Sequence, residues 1–322
     1  MYELRRLEPE ASFEIDGAPA IDASYRSLLA RGATRPGWCH VLRRGGEDIG
    51  RIGFRVEATC PEEFLGKLPA RELFPVGLWL RWGEPDWLEA GRFLIQRALE
   101  NIRSEVPEAL QASVNQSDER ADERRRLWQA CGLELFQEKQ GYGWRQGDAP
   151  PTEQHRLSAL PLERAGRDRF RDTLGRTGEG TLDRNDRWYR DHAGERNWAN
   201  VFLTMYEPAG QASASAPRGE WLLALDERGN EVGVVAVSAL GASGYADDTA
   251  TITFIGVVPE QRGKGYVGDL LRAASDTALR GGFTAMLSDT DVLNTPMRSA
   301  FGREGHRADA WPWHKWTYRE PR

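Results

Sequence analysis

Few cysteines, no long apolar run and no basic stripe set the first limits on this chain. Cys39, Cys60 and Cys131 are its 3 thiols in 322 residues, and no two of them form a CxxC pair, so neither a metal cluster nor a disulfide framework is indicated. No stretch of about 18 apolar residues occurs, and the start, MYELRRLEPEASFEIDG, lacks the apolar core of a secretory leader. The expected address is the cytoplasm, with no membrane partner. Basic residues number 43 against 49 acidic ones, a formal charge of -6 at pH 7, and the Lys and Arg residues do not gather into a stripe. Nucleic acid is therefore not an expected partner either. What the chain does hold is length for two domains of about 150 residues, each able to bury a core.

Around residues 146–154, QGDAPPTEQ is polar and carries Pro150 and Pro151. This reads as a linker over 147–154, dividing a domain at 1–146 from one at 155–322. The halves run in step. Trp38 to Gly50 and Trp221 to Gly233 each hold two apolar runs around a charged, glycine-bearing turn, the pattern of a β-hairpin. Further on, Trp128-Gln129-Ala130-Cys131-Gly132 corresponds to Phe301-Gly302-Arg303-Glu304-Gly305, and Gly141 to Arg145 corresponds to Lys315 to Arg319. An internal repeat of about 175 residues accounts for these matches.

Chemistry concentrates in the second half. Ile252 to Val258 has strand composition, Pro259 ends it, and from Val267 the apolar positions Leu270, Leu271, Ala274 and Ala278 fall at helical spacing up to Gly281-Gly282. Between strand and helix lies Gln261-Arg262-Gly263-Lys264-Gly265-Tyr266. A glycine turn opening a helix lets several backbone N–H groups converge on one oxygen cluster, which is the construction of a phosphate cradle. The spacing fits neither G-x-G-x-x-G followed by a βαβ series nor a P-loop, since Tyr266 follows Gly265.

This loop resembles the pyrophosphate arm of the GNAT superfamily of N-acetyltransferases, whose signature V-x-P-x-x-R-G-x-G-x-G/A is matched by Val257, Pro259, Arg262, Gly263 and Gly265, with Val267 in the last place. The stretch from Asp289 to Gly305 is similar to that family's later coenzyme-contacting helix. The resemblance implies an α/β fold of two tandem GNAT-like domains, each a mixed, mostly antiparallel sheet flanked by helices. It also implies acetyl coenzyme A as acyl donor and transfer to a small-molecule amine by direct attack in a ternary complex, in a monomer or homodimer. Coenzyme contacts would come from Ile255, Gly256, Val257 and Val258, from Arg262, Gly263, Lys264, Gly265, Tyr266, Val267 and Gly268, and from Asn294, Met297 and Phe301. Thr295 with Pro296 reads as the N-cap and first residue of the later helix.

The first half has Trp82-Gly83-Glu84-Pro85-Asp86-Trp87 where the loop should be. Its carboxylates oppose a diphosphate, so that domain is expected to bind no coenzyme and to wall the substrate site instead. The second half departs from the family too. The family's glutamate base would fall at Thr251 and its tyrosine acid at Phe301, which is read as packing. Asp289 and Asp291, placed just after a strand from Phe283 to Leu287, and Tyr318 on the last strand are the substitute catalytic candidates. Asp191-His192 and Tyr245 are weaker ones. Trp188, Tyr189 and Trp198 would supply an aromatic wall for the acceptor. A coenzyme-sensing module without turnover and a protein-modifying acetyltransferase stand as alternatives.

Overall fold

The computed structural model describes residues 1–8, 13–30, 32–56, 72–106, 109–148, 156–206, 219–240, 246–308 and 314–321. Cys60, Tyr245 and most of the expected linker fall outside them. The chain packs as two compact units, Met1–Gln137 with Trp316–Arg322, and Glu138–Lys315. These units differ from the two halves of the sequence by one strand each, because the strand that closes each half pairs into the other half's sheet.

Unit 1 contains β1 (Tyr2–Arg6), α1 (Asp22–Ala30), β2 (His40–Arg44), β3 (Glu47–Val56), β4 (Glu72–Leu80), α2 (Trp87–Ile102), β5 (Ala109–Asn115) and α3 (Ala121–Ala130). Strand β6 (Glu134–Arg145) follows, with residues 138–145 belonging to unit 2. The β2–β3 hairpin is the one expected from Trp38 onward. β4 pairs in parallel with β5 only at its start, Glu72 and Leu73 against Ala109 and Leu110.

Unit 2 contains β7 (Ser158–Pro161), α4 (Leu162–Ala165), α5 (Arg167–Thr177), α6 (Arg184–Ala193), α7 (Glu195–Tyr206), β8 (Trp221–Leu225), β9 (Glu231–Ala239), β10 (Thr249–Val257), α8 (Tyr266–Arg280), β11 (Ala285–Asp291) and α9 (Thr295–Arg303). Residue 316 onward in β12 (His314–Arg319) returns to unit 1. Strands β7 to β10 pair antiparallel in sequence order, β11 pairs in parallel with β10, and β6 pairs antiparallel with β11. Strand β9 is apolar on both faces because each face has its own core. Val235 and Val237 pack with Leu270, Leu271, Ala274 and Ala278 of α8, while Val234 and Ala236 pack with Phe170, Leu174, Trp198 and Leu203 of α5 and α7. The strand period of 2 assigns alternate residues to the two layers.

One feature of this sheet positions the site. β10 and β11 are hydrogen-bonded only through Thr249–Thr251 and Ala285–Leu287. Beyond that point β10 pairs only with β9, and β11 only with β6. A register irregularity at Thr253 bends β10 where the two strands part. Strand β11 is longer than the expected 283–287 because β6, distant in sequence, extends the ladder to Asp291.

Candidate active site

At the open end of β10 the chain turns through Pro259–Gln261 into the glycine loop. Gly263 and Gly265 have φ of +77° and +80°, the left-handed region that favours glycine, and Gly265 is the N-cap of α8. A Cβ on Gly263 would project into open space over the loop. The helix ladder begins with Gly268 N donating to Gly265 O at 3.0 Å, so the N–H groups of Tyr266 and Val267 precede it, at the positive end of the dipole. Glycines that keep side chains off a set of free N–H groups fit a diphosphate. Lys264 bonds to Gln261 across the loop at 2.6 Å. Arg262 instead braces the loop: its Nε donates to Val257 O at 3.0 Å and its Nη2 to Thr177 O at 2.9 Å.

The strand end divides into groups that face the gap and groups that do not. Val258 donates its N–H to Val232 O, so that amide belongs to the sheet and the side chain to the core. By strand alternation Gly256 also turns its N–H toward β9, leaving those of Ile255 and Val257 on the open edge. Gly256 serves packing, since a Cβ there would lie 2.7 Å from Thr177. Of the four consecutive residues expected here, two thus turn their N–H groups to the open edge and two to β9.

Helix α9 contributes mainly structure. Asn294, not Thr295, is its N-cap, accepting from Met297 N at 3.3 Å. Met297 and Phe301 are buried in the α8 core, with Phe301 1% exposed and stacked on Tyr142 at a 4.6 Å centroid separation. Neither side chain is available to a ligand.

The gap side of β11 carries the titratable groups. Asp289 and Asp291 lie within the strand and share one face, and Lys139, directly opposite Asp291 on β6, extends its Nζ to 2.9 Å from Asp289 and 3.7 Å from Asp183. Asp183 caps α6 by accepting from Asn185 N and Asp186 N. Asp291 is an anchor: buried, it accepts from Arg184 N at 3.2 Å and Leu293 N at 2.8 Å, tying the head of α6 to the end of β11. Burial opposes charge on Lys139, but Asp289 and Asp183 outweigh it and hold its ammonium above the usual range. Lys315 moves the other way, lowered by burial and by Lys139.

Asp186, in the first turn of α6, was not a candidate from sequence. Its side chain is half-buried, beside the charges of Asp183, Lys139 and Asp289. Burial first, and then the neighbouring charges of Asp183 and Asp289, push its carboxyl up to about 8 against the opposing pull of Lys139. That value suits a proton acceptor working near neutral pH. The pattern Asp183-x-x-Asp186 resembles a capping box and was the available signal. Lys139 gave none, because only the pairing of β6 with β11 brings it there.

Two other candidates lie elsewhere. Tyr318 is fully buried in the core of unit 1, where its hydroxyl accepts from Arg125 Nε at 3.2 Å. Trp198 is 4% exposed and packs on Phe254 and Phe202. Trp188 and Tyr189, in edge contact at 4.9 Å, remain partly exposed on α6. In unit 1 the turn before α2 is occupied by its own contacts, with Trp82 against Trp87 and Asp86 held by Tyr2 and Arg44 at 2.6 Å. His192's side chain, like Tyr245, is outside the described residues. No helix among the described residues is long and apolar enough to cross a membrane.

Comparison with known proteins agrees with this geometry. The model of the acetyltransferase (GNAT) family matches residues 183–305, from the cap of α6 to the end of α9. Residues 183–305 thus form a GNAT-family domain. Solved structures extend the likeness to the tandem arrangement. A GCN5-related N-acetyltransferase from Sphaerobacter thermophilus is similar at 16% identity and a TM-score of 0.58, over 99% of this chain and 95% of that one. One from Kribbella flavida aligns at 14% identity and 0.53, over 95% and 97%. A tandem GNAT protein from the clavulanic acid biosynthesis pathway aligns at 16% and 0.50, over 99% and 98%. At these identities the likeness shows the fold: two tandem GNAT-like domains of mixed, mostly antiparallel sheet. No curated protein matches the sequence significantly.

Proposed function

We propose that unit 2 transfers an acetyl group from acetyl coenzyme A to the amine of a small molecule, with Asp186 as proton acceptor. The observation that carries this reading is the parting of β10 from β11 between the glycine loop and the aspartate cleft. Acetyl coenzyme A supplies the acetyl group in thioester-activated form. The loop and first turn of α8 hold its diphosphate through main-chain N–H groups. The open-edge N–H groups of Ile255 and Val257 bond the carbonyl oxygen and stabilise negative charge developing there. Asp183 and Asp289 make the cleft attractive to an ammonium group, and Trp188 and Tyr189 add aromatic faces. With an amine pKa near 10, about one molecule in a thousand is neutral at pH 7, so Asp186 acts by taking the proton.

Direct attack needs no enzyme nucleophile. Cys39 and Cys131 belong to unit 1, and burial pushes their thiols up to about 11 and about 12, which makes them inert. The test is to incubate the protein with acetyl coenzyme A and a panel of amines while following free thiol. Amine-dependent release that increases as pH rises toward 8 supports the proposal. Tight coenzyme binding with no amine-dependent release contradicts it.

A further inference from the structure

We infer that Arg156, outside both motifs, is a positioning residue that fixes the diphosphate loop in its binding conformation; this rests on the function proposed above. Its side chain, 46% exposed, reaches the loop from the segment before β7. Nη1 donates to the Lys264 carbonyl at 3.1 Å, and the guanidinium lies 4.9 Å over the Tyr266 ring. A Cβ on Gly265 would sit 3.5 Å from Nη2. The plane of the guanidinium is itself fixed, because Nη2 pairs with Asp269 and Nε lies 3.5 Å from the same carboxylate, which is only 4% exposed.

The consequence follows from peptide geometry. No described peptide bond is cis, and in a trans peptide the C=O and the next N–H point in opposite directions. Holding the Lys264 carbonyl toward Arg156 therefore turns the Gly265 N–H away from the guanidinium and, in the function proposed above, toward the diphosphate. Glycines at 263 and 265 make that plane free to rotate, so a loop this permissive needs an external strut. Arg156 supplies preorganisation and no direct phosphate contact.

The fold should tolerate loss of the guanidinium, since Asp269 keeps Arg272 at 2.6 Å and Arg272 keeps Glu304 at 2.7 Å. The experiment compares wild type with Arg156→Gln by calorimetry, using coenzyme A and 3′-dephospho-coenzyme A, and by competition using pantetheine, which has no diphosphate. The expected result is an equal loss of about tenfold for the first two ligands, about 1.4 kcal/mol, with pantetheine and the melting temperature unchanged. Arg156→Lys, which can still reach the carbonyl but cannot hold Asp269 in two-point fashion, should fall between the two. Unchanged coenzyme affinity overturns the inference. So does an equal loss for pantetheine, which marks general damage, or a loss confined to coenzyme A, which marks a direct contact with the 3′-phosphate. Failure of the wild type to take up coenzyme A would instead overturn the proposed function.

Discussion

Replacing Lys139 with Met removes the cation that bridges Asp183 and Asp289. At 2.9 and 3.7 Å, and with an effective dielectric of ~20, its attractions to the two carboxylates are about 6 and about 4 kcal/mol gross. Desolvation cancels much of this, and deleting one member of a buried ion pair costs about 3–5 kcal/mol net. With 23% of its side chain exposed, Lys139 belongs at the lower end, ~3 kcal/mol. The same change acts on Asp186. Lys139 holds its proton affinity down, so without the cation Asp186 is raised further and the rising, acid-side limb of the rate profile moves to higher pH. A shift of about one unit lowers the rate at pH 7 about tenfold, recoverable at higher pH. The folded-state value of Asp186 already lies above its unfolded one. Its contribution to stability is therefore complete below the ordinary carboxylate range and is lost as pH rises through about 8. The stability deficit of Lys139→Met should accordingly widen from pH 5 to pH 9. Urea unfolding across that range, beside the pH profile of thiol release, checks both parts. A deficit under ~0.5 kcal/mol at pH 7, or a limb that stays in place, refutes the reasoning.

Asp186→Asn should lower kcat by about 100-fold and abolish the limb near pH 8 while leaving coenzyme affinity intact, and its melting temperature at pH 9 should not fall, because a crowded carboxylate has been neutralised. Tyr318→Phe should cost unit 1 about 1 kcal/mol from the lost Arg125 hydrogen bond and change kcat less than about twofold, as steady-state rates and denaturation would show. Phe301→Tyr places a hydroxyl in the α8 core beside Tyr142, so denaturation should show a loss of about 1–3 kcal/mol with no gain in kcat; an increase in kcat would mean that the phenol reaches the departing thiolate.

The glycine loop and α8 were legible in sequence because both are local. A strand run, a proline, two glycines and a helical apolar period lie within a few tens of residues, and α8 spans the residues its period indicated. The hairpins and the repeat were legible for the same reason. The cleft was not. Asp289 and Asp291 read as loop residues because their strand continues only by pairing with β6, and Lys139 reaches them only through that same pairing. Tyr318 lies in the second half of the sequence, yet it packs in the core of unit 1. Asp186 escaped notice because its raised proton affinity arises first from burial and then from Asp183 and Asp289, against Lys139, none of which its own local sequence shows in full. Local chemistry survives in one dimension, and chemistry assembled by strand pairing does not.

The central claim is that main-chain amides around Gly263 and Gly265 hold the diphosphate of coenzyme A, and titration calorimetry of coenzyme A into the wild-type chain and into Gly263→Val and Gly265→Val tests it most directly. The account predicts saturable one-site binding to the wild type and at least about a tenfold weaker Kd in each variant, from the strain of a branched residue at positive φ and the loss of close approach. No heat with the wild type, or equal affinity in all three proteins, would contradict it.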